Sequence, residues 1–295
     1  MNAIRTSRVR TVVAVGCVLA LAGPAWAGAA DKAAAFAAEG DGLLGKADFE
    51  GALKAYAQAA KADSQNPDYR QQYAVLRRII KMRQSVDKEA NPEKWAGIVR
   101  GLRAFYYDRD IYPEALALDQ KVHAKTGTPE SASALAQSQL QMGLNAEAAA
   151  TLSSIDETAA TPESRVLLGI ALARQGDIDQ AKAVAAKIEI PKGTPPILFY
   201  NTACLHALIG DSDSAMTLLT RCFENTPPSR LDNIKERAKT DEDLTTLVAS
   251  ADFADVLETK SKVKESSCSG GTSCGGCPSR SKCASAKSKT DKAHK

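Results

Sequence analysis

The sequence predicts an all-α chain of paired helices, and three observations carry that expectation. Its 295 residues are 44% hydrophobic and 25% charged but only 5% aromatic, with alanine recurring in most blocks of ten. Such a composition favours close-packed helices over sheets, which draw on aromatic and β-branched runs. The segments RDIYPEALALDQKV, MGLNAEAAATLSSI, QGDIDQAKAVAAKI and IGDSDSAMTLLTRC then align on Ala115, Ala148, Ala181 and Ala215, spaced 33, 33 and 34 apart. Within 165–190, Leu168, Leu172, Ile178, Ala181, Val184, Ala185 and Ile188 recur at intervals of three and four, broken by Gly176-Asp177. Each unit thus offers two helices of about a dozen residues, and neither buries its apolar stripe without a stacked neighbour.

Residues 1–27 read as an address. Arg5, Arg8 and Arg10 precede an apolar stretch from Val12 to Ala22, followed by Gly23-Pro24-Ala25-Trp26-Ala27. A charged region, a short apolar core and a small-x-small site predict a secretory signal peptide cleaved after Ala27. The stretch is shorter than the about 20 residues that span a bilayer, so the expectation is an exported protein, periplasmic or secreted, with no stable membrane insertion. Residues 28–259 hold 26 Lys and Arg against 33 Asp and Glu, a net −7, whereas 260–295 hold nine against two, a net +7. An acidic body ends in a basic tail.

An earlier copy of the repeat, KADFEGALKAYAQAAKAD, centres on Ala52, and the 63 residues to Ala115 leave space for one irregular unit. There, Tyr69 to Lys88 predicts a long helix with an apolar stripe of Tyr69, Tyr73, Leu76 and Ile80, either a degenerate repeat helix or an insertion. After the last unit, residues 230–258 predict capping helices that seal the exposed apolar end with Leu244, Leu247, Phe253 and Leu257.

The period and the placing of Phe36, Gly40 and Leu43 on one helix, and Ala52, Tyr56 and Ala59 on the next, resemble the tetratricopeptide repeat. The resemblance covers about 33–228, and departs from the pattern at Arg103, where a small residue is usual, at Asn145, where an apolar one is, and at an early Pro191. It implies a right-handed superhelical solenoid of helix hairpins that presents a concave groove, lined by the first helix of each pair, to peptides or partner proteins. On that model Arg100, Tyr107, Gln137, Gln141, Arg174 and Tyr200 face the groove, and the function implied is a non-enzymatic scaffold of the bacterial envelope.

From about Lys260 the chain runs through Ser, Gly and Lys without an aromatic residue, and is expected to be disordered. Cys268, Cys274, Cys277 and Cys283 interrupt this tail at spacings of five, two and five counted as intervening residues. In an exporting compartment they fit two disulfides. The same thiolates fit one tetrahedral zinc or copper ion, and Cys274 with Cys277 forms a CxxC pair able to exchange disulfides. Cys204 and Cys222 read as core thiols, offset along an antiparallel helix pair.

Signals for catalysis are thin. His123, His206 and His294 stand apart from other ligand residues, and GxxxxGK[ST], GxSxG, HExxH and GxGxxG are absent, so no cofactor is expected in the array. Asp156-Glu157 and Asp241-Glu242-Asp243 fit helix starts, where carboxylates meet free amides. Two surfaces suggest binding. Arg70, Arg77, Arg78, Lys81 and Arg83 lie away from the apolar stripe of helix 69–88. In 95–112, Trp95, Arg100, Arg103, Tyr106, Tyr107, Arg109 and Tyr112 mix bases with aromatics. Nucleic acid is not expected as the partner, because the body is acidic and exported. Weak contact of the tail with an anionic surface is.

Overall fold

The computed structural model describes residues 24–264, with side chains from Gly28 onward. Among these residues every regular element is helical: α1 (Pro24–Leu44), α2 (Phe49–Ala62), α3 (Pro67–Ser85), α4 (Pro92–Asp108), α5 (Tyr112–Thr126), α6 (Pro129–Gln141), α7 (Asn145–Ser153) and α8 (Pro162–Gln175). These are followed by α9 (Ile178–Ala185), α10 (Pro196–Leu208), α11 (Ser212–Asn225), α12 (Pro228–Thr240), a 3-10 turn (Glu242–Leu244), α13 (Thr245–Val248) and α14 (Ala251–Leu257). The chain divides into two compact units, Met1–Ala115 and Leu116–Lys295, with the boundary inside α5.

One turn recurs throughout. Between α1 and α2 the N–H of Asp48 donates to the carbonyl of Leu43 at 2.9 Å and that of Ala47 to Leu44 at 2.8 Å, the paired bonds of a Schellman stop. The same pair closes α4 (Ile111 to Tyr106), α6 (Leu144 to Gln139), α8 (Asp177 to Leu172) and α10 (Asp211 to His206), these bonds at 2.8–3.0 Å and their companions at 3.0–3.4 Å. The residue that turns the chain is left-handed each time: Ala47, Asp110, Gly143, Gly176 and Gly210, at φ between 54° and 91°. Four residues after each stop's final donor stands a wholly buried alanine, namely Ala52, Ala115, Ala148, Ala181 and Ala215, all at 0% exposure. The sequence period is therefore the period of a hairpin turn, and the alanine is where the second helix meets the first.

Helix starts repeat as well. Asn66, Asn91, Thr128 and Thr161 each accept a backbone N–H through the side chain, and each is followed by proline at the first helical position. Proline there gives up a donor that has no helical partner and fixes a helical φ.

In the first unit, Phe49, Tyr56, Leu76, Leu102 and Tyr106 fill the core. Helix α3 packs through Leu76 and Ile79, while Tyr69, Tyr73 and Ile80 of the expected stripe are half-buried. Arg83, expected on the outer side, instead turns inward. Its guanidinium lies 4.1 Å from the Phe49 ring centroid, donates to the Tyr106 hydroxyl at 2.7 Å and pairs with Glu114. Gly40 sits so close to the Tyr56 ring that a Cβ would come within 2.8 Å of it, which is why that position is small.

In the second unit, α8 packs beside both α6 and α10, so the first helices of successive pairs form one layer. The end is sealed as expected, with Leu244, Leu247 and Phe253 at 0–2% exposure and Leu257 packed partly buried against the same core. Cys204 and Cys222 are free and buried. Asp156 and Glu157 do not start a helix, because α8 begins only at Pro162. Asp156 accepts from the Thr158 N–H, and Glu157 pairs with Lys187 at 2.8 Å.

Candidate functional site

The six residues expected on the ligand face fall into two groups, one in each unit. In the first unit, Arg100, Arg103 and Tyr107 lie three and four residues apart, hence on one face of α4. Arg100 is exposed, and Arg103 and Tyr107 are half-buried. The Arg103 guanidinium stacks 4.5 Å from the Tyr107 ring centroid and donates to its hydroxyl at 3.2 Å. The Tyr112 ring meets the Tyr107 ring in an edge arrangement, centroids 5.7 Å apart, and its own hydroxyl donates to Asp110 at 2.7 Å. Ala104 is exposed beside them and Gly97 has open space where a Cβ would stand. Two arginines and a stacked tyrosine thus border small residues over which another backbone can pass closely. Trp95 at the start of α4 is half-buried. Behind this surface Arg109, which the sequence grouped with these residues, serves as a brace, donating to Gln72 at 2.8 Å and standing 3.6 Å from Asp41, which accepts from Tyr56.

In the second unit the equivalent helices carry a different arrangement. Gln137 and Gln141 on α6 are half-exposed. Tyr200, by contrast, is at 0% exposure, with its hydroxyl donating to Asp241 at 2.9 Å. Arg174 grips Asp243 with both ends of its fork, at 2.9 and 2.8 Å, and adds a donation to the Leu140 carbonyl at 3.3 Å. Expectation is corrected at both positions. Tyr200 is core and Arg174 is occupied, because residues 241–244 fold back over α8 and α10. Asp241 does cap, accepting from the Asp243 N–H, but Asp243 is an internal ligand at 8% exposure. Burial pushes the Asp243 carboxyl up, with Arg174 opposing, and the Asp243 carboxylate holds the Arg174 guanidinium above its ordinary value despite burial.

Cys204 completes this cluster, its sulfur and one oxygen each of Asp241 and Asp243 lying within 4.8 Å of one another. The donor set does not suit a cation. Asp243 is spent on Arg174, Asp241 on Tyr200 and Arg237, and burial drives the Cys204 thiol well up, away from the thiolate a metal needs. His123 contacts Ser131 and His206 contacts Asp211, both at 2.9 Å, which accounts for each imidazole structurally. His294 and the tail cysteines Cys268, Cys274, Cys277 and Cys283 lie outside the described residues. No described helix is long and apolar enough to cross a membrane.

No family model matches the chain, and no curated protein matches it. Among solved structures it is similar to a tetratricopeptide repeat protein from Parabacteroides merdae, at 16% identity and a TM-score of 0.42, covering 80% of this chain and 99% of that one. It is also similar to YrrB, described as a TPR protein with an unusual peptide-binding site, at 18% identity and a TM-score of 0.32, covering 72% and 97%.

Proposed function

We propose that the protein is a non-enzymatic scaffold of the bacterial envelope that captures peptide segments of partner proteins on the outer face of α4. The observation that carries this reading is the stack of Arg103, Tyr107 and Tyr112 beside exposed Arg100. Tyrosine supplies large contact area at small conformational cost and arginine supplies directed donors, and both are enriched at binding hot spots. Their mutual stacking orients both groups before a ligand arrives. Gln137 and Gln141 offer amides to main chain in the same way on the second unit.

The test is selection of peptides from a random library on the full-length protein, followed by titration against Tyr107→Ala and Arg103→Ala. Selected peptides are expected to bind each variant at least tenfold more weakly. Equal binding to parent and variants defeats the assignment of the site. Envelope location rests on the amino-terminal address and is tested separately, by finding Gly28 as the first residue of protein recovered from the periplasm. The tail cysteines are proposed as a cross-linked or metal-holding terminus outside the array. Intact mass without reductant separates the two, since two disulfides remove about 4 Da and a bound ion adds its own mass under native conditions only.

A further inference from the structure

Helix α3 carries a second surface. Taking 100° per residue, Arg70, Arg77 and Lys81 fall within roughly 40° of arc and Arg78 within roughly 100°. All four are exposed, opposite the seam through which Leu76 and Ile79 pack. None of their side chains has a hydrogen-bond or ion-pair partner among the described residues, whereas the fifth cation of the helix, Arg83, is spent on Glu114. Residues 67–85 hold five cations against one acid, while the remainder of 28–115 holds nine against 12. A positive strip is therefore set in a mildly acidic unit.

We propose that this edge of α3 is a docking strip for an acidic protein segment, distinct from the α4 face. Three observations select that occupant. The strip contains no large apolar side chain to enter a lipid surface, since Ala74 and Gln84 fill the gaps between its cations and, among the described residues, the exposed large apolar side chains, Ile197, Val248 and Val263, are all in the other unit. It contains no fully exposed aromatic ring on which a base could stack, because Tyr69 lies toward the packed side and Tyr73, at the border of the strip, is half-buried. A planar anionic bilayer would also bring the unit's own carboxylates within the roughly 8 Å over which charges are felt at physiological salt, whereas a narrow acidic chain meets only the strip. Along the axis Arg70, Arg77 and Lys81 are about 10 and 6 Å apart. Carboxylates seven and four residues apart on a helix, or about three and two apart on an extended chain, match that ladder. Three of the four cations are arginines, whose forks suit carboxylates.

The experiment uses the full-length protein with its tail, a fluorescent dodecamer of glutamate as probe, and low salt. The comparison is with a triple variant, Arg70→Glu, Arg77→Glu and Lys81→Glu, whose helix content and melting are checked first. The expected result is at least tenfold weaker probe binding in the triple variant, an intermediate loss when the three are changed to glutamine, and no loss in Tyr107→Ala. No probe binding by the parent, or equal binding by parent and triple variant, overturns the proposal, the latter transferring the attraction to the basic tail. Tighter α3-dependent binding to phosphatidylserine vesicles or to an oligothymidylate than to the glutamate probe overturns it in favour of that partner.

Discussion

Arg100 and Tyr200 occupy the same repeat position, one hundred residues apart in a lattice of 33, 33 and 34, yet one is exposed and the other is at 0% exposure. Gln141 and Arg174, also equivalent, differ in the same sense. The first is half-exposed and has no acidic partner, while the second is held by Asp243. Repeat register sets which way a side chain leaves its helix, but not what meets it there. In the second unit the chain supplies its own acidic turn, and the layer formed by α8 and α10 is closed. In the first, α4 keeps Arg100, Arg103 and Tyr107 at the surface.

The largest expected effect tests that closure. Arg174→Ala leaves Asp243 buried without its partner, and breaking such pairs is strongly destabilising. Because the Arg174 side chain retains 30% exposure, we expect a loss of about 2–4 kcal/mol, at the low end of the range for buried pairs, read by urea unfolding. Asp243→Asn in the same background is expected to recover much of it, since a neutral amide at that place needs no counter-charge. If the single variant unfolds at the parent's midpoint, the closing turn is held by Leu244 and Leu247 alone.

A second effect belongs only to the second unit, which contains both described cysteines. Burial pushes the Cys222 thiol up to about 11 from 9.0, with the Thr226 hydrogen bond opposing. A thiol whose folded pKa is raised keeps its proton while the unfolded chain loses it, so this contribution is complete below pH 9 and is lost as pH rises through 9 towards 11. Parent protein is expected to lose stability over that window by about 2 kcal/mol more than Cys222→Ala. Native alkylation of Cys204 and Cys222 at pH 8 is expected to be negligible, and complete after unfolding. Fast native alkylation of Cys222 would show that α11 opens readily. In the first unit the comparable test is Arg83→Ala, which removes the contacts with Phe49, Tyr106 and Glu114 and is expected to cost about 1–2 kcal/mol by the same unfolding measurement.

The sequence made the hairpins legible because their signals are local. The left-handed turn residue and the buried alanine that follows it lie five residues apart, and the same spacing returns in every pair. The core thiols and the sealing leucines followed from apolar spacing. The ion pair of Arg174 with Asp243 did not, because 69 residues separate the partners and nothing in the local pattern of Asp241-Glu242-Asp243 distinguishes a helix cap from a buried ligand. Arg83 was misplaced for a different reason. At 100° per residue it falls between Leu76 and Ile79, inside the packed seam, so its spacing already turns it inward, and the Phe49 ring and Glu114 supply the partners a charged side chain needs there. The α4 surface was legible as residues, while the stacking that distinguishes Tyr107 from the core Tyr106 required the neighbouring helix start at Tyr112.

The smallest effects sharpen the contrast between the units at the turn they share. The second unit places glycine at each left-handed stop, at Gly143, Gly176 and Gly210, while the first uses Ala47 at φ 58° and Asp110 at φ 54°. A β-carbon in that region costs about 1–2 kcal/mol, less for aspartate, whose short polar side chain tolerates it. Glycine costs roughly 0.5–1 kcal/mol in unfolded-chain entropy, so the two terms partly cancel. Gly176→Ala is accordingly expected to destabilise by about 1 kcal/mol, and Ala47→Gly to stabilise by up to about 0.5–1 kcal/mol. Asp110→Gly should be close to neutral, because it relieves a smaller strain and gives up the hydrogen bond that holds Tyr112 against Tyr107. That last variant separates stability from binding. If the α4 face captures peptide as proposed, Asp110→Gly weakens capture without moving the unfolding midpoint, and a change in the midpoint with capture intact would assign Asp110 to the turn alone.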